Sequence, residues 1–327
     1  MKSDDPVDAR SLPAAVQAAV AGTIVGQGVV VERTLIALLT GGHLLLEGVP
    51  GLAKTLLVQA VARAIDLRFG RVQFTIDLLP ADIVGAEVLD ARTGSLRVHR
   101  GPIFTNILLA DEINRASPKV QSALLEAMQE RRVSIGDSTL DLPTPFVVIA
   151  TQNPVEQAGT FELPEAQLDR FMLRHRLHYP TQREEHQVVR RSLDLGLRRN
   201  GDGAVPRSAF DAIPEGRRLS AAVLTRAMEL VQSVHVSDVF IRDCVELTAL
   251  TRRHPDIELG CSPRAGIALA HAARARAMIH GRDFVTPEDL FELAEDVLLH
   301  RMRLRYEAVA GGRTADQVLR EVLGELT

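Results

Sequence analysis

The stretch EGVPGLAKT, residues 47–55, constrains this chain more than any other. It closes HLLLEG, a short apolar run that reads as a buried strand, and it precedes TLLVQAVARAI, which reads as a helix. Strand, glycine-bearing loop and helix in that order make an anion cradle. Backbone N–H groups at the helix start surround phosphate oxygens, and a lysine adds a point charge. The pattern G-x-x-x-x-G-K-[ST] is met by Gly48, Lys54 and Thr55, with Ala53 in the second glycine's place. Gly51 allows close backbone approach, and the Thr55 hydroxyl suits a magnesium ion. Ala53 matters if its φ is positive, where a Cβ costs roughly 1–2 kcal/mol. At negative φ alanine costs little.

A bound triphosphate needs further groups, and the sequence supplies candidates. Magnesium bridging β- and γ-phosphates calls for a carboxylate, and hydrolysis calls for a group that orients water. ILLADE, residues 107–112, reads as a second buried strand ending in two carboxylates. They would emerge at the carboxyl edge of the sheet, where open α/β folds take ligands. Asp111 is the expected metal-side carboxylate and Glu112 the expected water-activating base. FVVIATQNP reads as a third core strand, leaving Asn153 just beyond its end, and LRHRLHY as the next. SPKVQSALLEAMQERR reads as a helix with Ser117 as N-cap, Pro118 next and Val120, Ala123, Leu124, Ala127 and Met128 on one face. LPEAQLDRFM also reads as helical, and VSIGDSTLDL as a hairpin about Gly136 and Asp137. Strands alternating with helices predict a parallel sheet covered on both faces.

The remaining chain has a different texture. Gly, Pro and charges replace apolar periodicity over residues 196–216, which reads as a linker between a core (1–195) and a helical domain (217–327). The latter holds AAVLTRAMELVQSV, DVFIRDCVELTALTRR, SPRAGIALAHAARARAMIHG and TPEDLFELAEDVLLHRM, with Ser262 and Thr286 as N-caps before proline. A net charge of −4, 4% aromatic residues and no Trp argue against nucleic acid as a partner. The two cysteines, Cys244 and Cys261, show no metal-ligand spacing. MKSDDPVDAR lacks an apolar signal core, and no apolar run approaches the ~18 residues of a membrane span, so a cytoplasmic protein is expected.

GVPGLAKT, ILLADEINRA, VIATQNP, LPEAQLDRF, GCSPRA and GRDFVTPEDL occur in that order. Together they resemble the MoxR group of AAA+ ATPases over residues 10–310, the alanine at position 53 included. The resemblance implies an α/β P-loop core, with a five-stranded parallel sheet flanked by helices, followed by a small all-α lid. It implies ATP or ADP held by Gly48, Val49, Pro50, Gly51, Leu52, Ala53, Lys54, Thr55 and Leu56, with Mg2+ on Thr55 and Asp111. Val25, Gly26 and Gln27 match the VGQ stretch at the adenine side. Asn153 resembles the sensor-1 residue, Arg264 the sensor-2 arginine of the lid, and Arg170 the arginine finger directed into a neighbouring subunit. A trans finger requires a homo-oligomeric ring, in this group a hexamer. The insertion at residues 75–104 and the VSIGDSTLDL hairpin resemble projections that face a central pore. The implied function is ATP-driven remodelling or maturation of a protein client, with metal or cofactor insertion and von Willebrand factor A domain proteins as the associated themes. A magnesium-chelatase-like motor, a DNA-acting relative and a nucleotide-gated binding module without turnover are the alternatives.

Overall fold

The structure is a computed structural model that describes residues 8–90, 92, 94–154, 159–200, 203–213 and 219–326. Five parallel strands form the floor of the first domain: β1 (Leu44–Glu47), β2 (Phe69–Gln73), β3 (Ile107–Asp111), β4 (Val147–Gln152) and β5 (Leu173–Arg176). Their spatial order is β2-β3-β4-β1-β5. Leu44 of β1 pairs with Ile149 on one side and Leu173 on the other. A strand enclosed on both edges and both faces reads as a near-continuous apolar run, and β1 and β3 are buried at every residue, with a carboxylate only at the last position of each. β2 lies at the sheet edge and buries only Val72, so its mixed FGRVQ carries no apolar run to betray it.

Alternation along the strands divides the core in two. Leu44 and Leu46 face α1 (Leu12–Ala21), α2 (Gly28–Thr40) and α3 (Lys54–Ala64). Leu45, Leu108 and Val148 face the opposite way, onto Val120, Leu124 and Met128 of α4 (Pro118–Glu130). A further helix, α5 (Gln182–Asp194), buries none of its residues and is tied down by Arg191, whose Nη1 donates to the Ala21 carbonyl at 3.1 Å.

The second domain contains α6 (Ala221–Ser233), α7 (Asp238–Arg253), α8 (Pro263–Ile279) and α9 (Pro287–Leu298), as the sequence suggests, and an additional α10 (Ala315–Leu326). Small side chains on α8, among them Ala265, Ala272 and Ala273, are fully buried and share one cluster with Leu35 and Leu39 of α2. The two domains therefore share a core. Charged pairs add to the seam: Arg33 Nε lies 2.6 Å from Asp296 Oδ2, and Arg301 Nε lies 2.7 Å from Asp169 Oδ1.

Thr286 caps α9 as expected, with Asp289 accepting from its backbone N–H at 2.9 Å. Ser117 and Ser262 occupy N-cap positions without a side-chain cap bond, and Ser262 Oγ turns instead to Asp169 Oδ2, 3.4 Å away. The helix read from LPEAQLDRFM is confined to Glu165–Leu168. The VSIGDSTLDL hairpin is present, pairing Arg132–Ile135 with Ser138–Asp141, and the insertion at residues 75–104 carries another, pairing Gly85–Asp90 with Ser95–Arg100; residues 91 and 93 lie outside the described residues. The stretch read as a linker carries a third, Leu197–Asn200 with Gly203–Pro206, and a short turn at Ala209–Ala212. Its residues 201–202 and 214–216 lie outside the described residues. No described helix is long and apolar enough to cross a membrane.

Candidate functional site

β1 ends at Glu47, and the loop that follows is pinned to the neighbouring strand: the Gly48 N–H donates to the Gln152 carbonyl at 3.1 Å. A Cβ on Gly48 would meet Leu177 Cβ at 3.0 Å and the Leu177 carbonyl at 3.4 Å, so a side chain there would press on Leu177 by a few tenths of an ångström. Gly51 turns the chain at φ +89°. Ala53 then enters α3 with φ 54° and ψ 24°, in the left-handed region, where its Cβ carries the strain of roughly 1–2 kcal/mol. The result is an N-terminus of an 11-residue helix facing open space.

That space is a cleft of about 390 Å³, lined among the described residues by residues 50–56, Asp111, Glu112, Asn153 and Phe210. Lys54 Nζ donates to the Gly48 carbonyl at 2.8 Å. Partial burial draws the Lys54 pKa below the ordinary lysine value, while the Asp111 and Glu112 carboxylates push it back up. Thr55 Oγ1 lies 3.5 Å from Asp111 Oδ2. Asp111 Oδ1 accepts the Thr151 hydroxyl at 2.6 Å, and Thr151 Oγ1 in turn accepts the Glu112 N–H at 2.8 Å. One threonine on β4 thereby orients both acidic residues at the end of β3. Glu112 itself has φ +57°, and its Oε2 accepts Gln73 Nε2 at 2.9 Å and lies 3.0 Å from Arg115 Nε. Asn153 is 6% exposed, one residue past β4.

A hydroxyl and a carboxylate are hard oxygen donors, suited to magnesium. Among the described residues no group of three or more His, Cys, Asp and Glu side chains could hold a metal alone. Thr55 Oγ1 and Asp111 Oδ2 would supply two donors to such an ion, with waters and substrate phosphates supplying the rest.

Of the residues that the sequence assigns to the adenine side, none is among those lining this cleft. Val25 and Gly26 line a second cleft of about 350 Å³ with Arg191 of α5. Gly26 is at φ +67°, and a Cβ there would fall 2.6 Å from Glu184 Oε1. Gln27 is left-handed at φ 61° and starts α2.

Residues 43–173 match the ATPase family associated with various cellular activities (AAA), and residues 249–322 match the AAA lid domain. Chaperone MoxR1 of Mycobacterium tuberculosis is 42% identical over 310 residues, spanning 92% of this chain and 78% of its own. This chain belongs to the MoxR family of AAA+ ATPases. The uncharacterized protein YeaC of Bacillus subtilis is 44% identical over 300 residues, spanning 92% and 89% of the two chains. A crystal structure from Cytophaga hutchinsonii, of a protein provisionally assigned as an ATPase, superposes with a TM-score of 0.86 at 41% identity, covering 96% and 94%.

Within this MoxR-family fold the two outlying arginines lie away from the cleft. Arg264, at the second residue of α8, places Nη1 3.5 Å from Asp169 Oδ2. Arg170 turns to Gln129 Oε1 at 3.2 Å and to the Ala166 carbonyl at 2.8 Å, beside a separate pocket of about 320 Å³. Sequence reasoning missed three participants. Gln73 and Arg71 stand on the edge strand it did not read, and Phe210 enters the cleft from a segment whose Gly and Pro content gives no signal. Arg115, three residues beyond Glu112, pairs with its carboxylate.

Proposed function

We infer that this chain hydrolyses ATP with Mg2+ in the cleft between the 48–55 loop and the end of β3. It acts in the cytoplasm as one subunit of a homo-oligomeric ring, a hexamer, and uses the cycle to remodel or mature a protein client. The observation that carries this reading is the convergence of Lys54, Thr55, Asp111, Glu112 and Asn153 on one cleft at a helix N-terminus, with Thr55 Oγ1 and Asp111 Oδ2 3.5 Å apart.

The residues divide the work by position. Backbone N–H groups of the loop and the Lys54 ammonium receive the β- and γ-phosphates. Thr55 and Asp111 hold Mg2+, which when bound neutralises charge developing on the phosphoryl oxygens. Glu112 takes a proton from the attacking water, and Asn153 holds that water against the γ-phosphate. Arg264 reaches the γ-phosphate from the lid of the same subunit after leaving Asp169. Arg170 serves the neighbouring subunit's cleft, in keeping with its place on a different surface. Loss of γ-phosphate contacts then relaxes the lid angle, which couples chemistry to movement. A client bearing a von Willebrand factor A domain is the partner class we favour.

Labelled ATP and phosphate release test the reading. Lys54→Ala should fail to bind, and Glu112→Gln should bind without turnover. Phosphate release by Glu112→Gln equal to wild type removes Glu112 as the base. Affinity capture with Glu112→Gln in ATP should retain the client.

A further inference from the structure

Asp111 carries a partner that none of the roles above explains. Its Oδ1 is committed to Thr151, at 2.6 Å. Its Oδ2, the oxygen turned toward Thr55 Oγ1, accepts two N–H groups from Arg71: Nη2 at 2.7 Å and Nε at 3.2 Å. The oxygen best placed for a divalent ion is thus covered by a guanidinium. Arg71 stands on β2, where Gln73 is in register with Asp111 and Arg71 with Leu109. Residues two apart on a strand share a side, so Arg71 and Gln73 project together and reach the two neighbouring carboxylates separately, Arg71 to Asp111 and Gln73 to Glu112.

Two features make this contact reversible. The Arg71 side chain is 47% exposed, so its departure breaks little packing. Its Nη2 also donates to Gln73 Oε1 at 2.9 Å, which gives the guanidinium an anchor beside the cleft when it leaves Asp111. The Asp111 carboxylate, by contrast, is held by Thr151 and cannot follow it.

We propose that Arg71 is a positioning residue that neutralises Asp111 while the cleft lacks its divalent ion and yields Oδ2 when that ion arrives. The proposal rests on the ATP and Mg2+ reading of the cleft. Two adjacent carboxylates at a sheet end repel each other, and a planar, permanently charged guanidinium 2.7 Å from Asp111 Oδ2 offsets that repulsion and keeps Asp111 oriented in the meantime. The ion therefore competes with an internal cation. Metal affinity is set below what the bare carboxylate would give, and the carboxylate stays in place between turnovers.

The test titrates Mg2+ into each protein with a fluorescent, non-hydrolysable ATP analogue, against a parallel titration in EDTA. Wild type, Arg71→Gln and Arg71→Lys are compared. Arg71→Gln should shift the Mg2+ midpoint down by about tenfold at saturating analogue, the worth of one charge-assisted competitor. Arg71→Lys, which keeps the charge, should stay near wild type. A midpoint in Arg71→Gln equal to or above wild type overturns the proposal while the nucleotide reading stands. Absence of analogue binding by wild type in both EDTA and Mg2+ overturns the nucleotide reading, and the proposal falls with it.

Discussion

Replacing Ala53 with glycine tests the conformation on which the loop depends, because the sign of the effect differs between the two possible backbones. At φ 54° and ψ 24° alanine bears a Cβ penalty of roughly 1–2 kcal/mol, which glycine does not. Glycine returns part of that gain through the larger entropy of its unfolded chain, about 0.4–1 kcal/mol. The folded protein should therefore gain about 0.5–1 kcal/mol in Ala53→Gly. Were Ala53 an ordinary right-handed helical residue, the same change would cost about 1 kcal/mol. Ala53→Val should lose stability, since a β-branched side chain is a still poorer occupant of the left-handed region. The chain has no Trp, so urea unfolding is followed by circular dichroism rather than by tryptophan emission. A fall in the Ala53→Gly midpoint would refute the left-handed entry into α3 and with it the account of why alanine stands in the pattern's glycine place.

Three further outcomes follow from named contacts. Burial takes the His43 pKa from 6.5 down to about 4; its Nδ1 accepts the Val148 N–H at 3.0 Å, so the neutral ring donates from Nε2 to the Met128 carbonyl at 3.1 Å. Its contribution is complete above the unfolded value of 6.5 and is lost as pH falls toward 4, up to about 3 kcal/mol, and His43→Gln should unfold with a shallower pH dependence over that window than wild type. Equal slopes would count against it. Asp169→Asn should lower the unfolding free energy measured in urea by about 3 kcal/mol, because it strips the carboxylate from Arg301, whose side chain is 3% exposed; a change under about 0.5 kcal/mol would mean that the Arg301 bonds to the Phe171 and Met172 carbonyls, at 2.7 and 3.2 Å, suffice alone. Mixing Arg170→Ala with Lys54→Ala subunits should partly restore ATP turnover if Arg170 works across a subunit boundary, and no rescue at assembling concentrations removes the trans role.

How far the fold and site were legible depended on whether each constraint is local. β1 and β3 are enclosed on both faces, so all but their last residues are apolar, and the strand–loop–helix and the paired carboxylates at the end of β3 could be read directly. The edge strand β2 buries one residue in five and left no such trace, so Arg71 and Gln73 went unread although they grip the two carboxylates that were found. Their partners are 40 and 39 residues away, a distance that no spacing rule spans. Ala53 stands in a glycine place in the sequence, but its left-handed φ of 54° is set by the fold around it. The adjacent residues Asp169 and Arg170 illustrate the same limit. Asp169 gathers Arg301, Ser262 and Arg264 from the lid, while Arg170 turns the other way, to Gln129 and the Ala166 carbonyl. In the sequence they are two letters of one LDRF motif. In the fold the first fastens the two domains to each other, and the second bonds to Gln129 of α4 and to the turn before it.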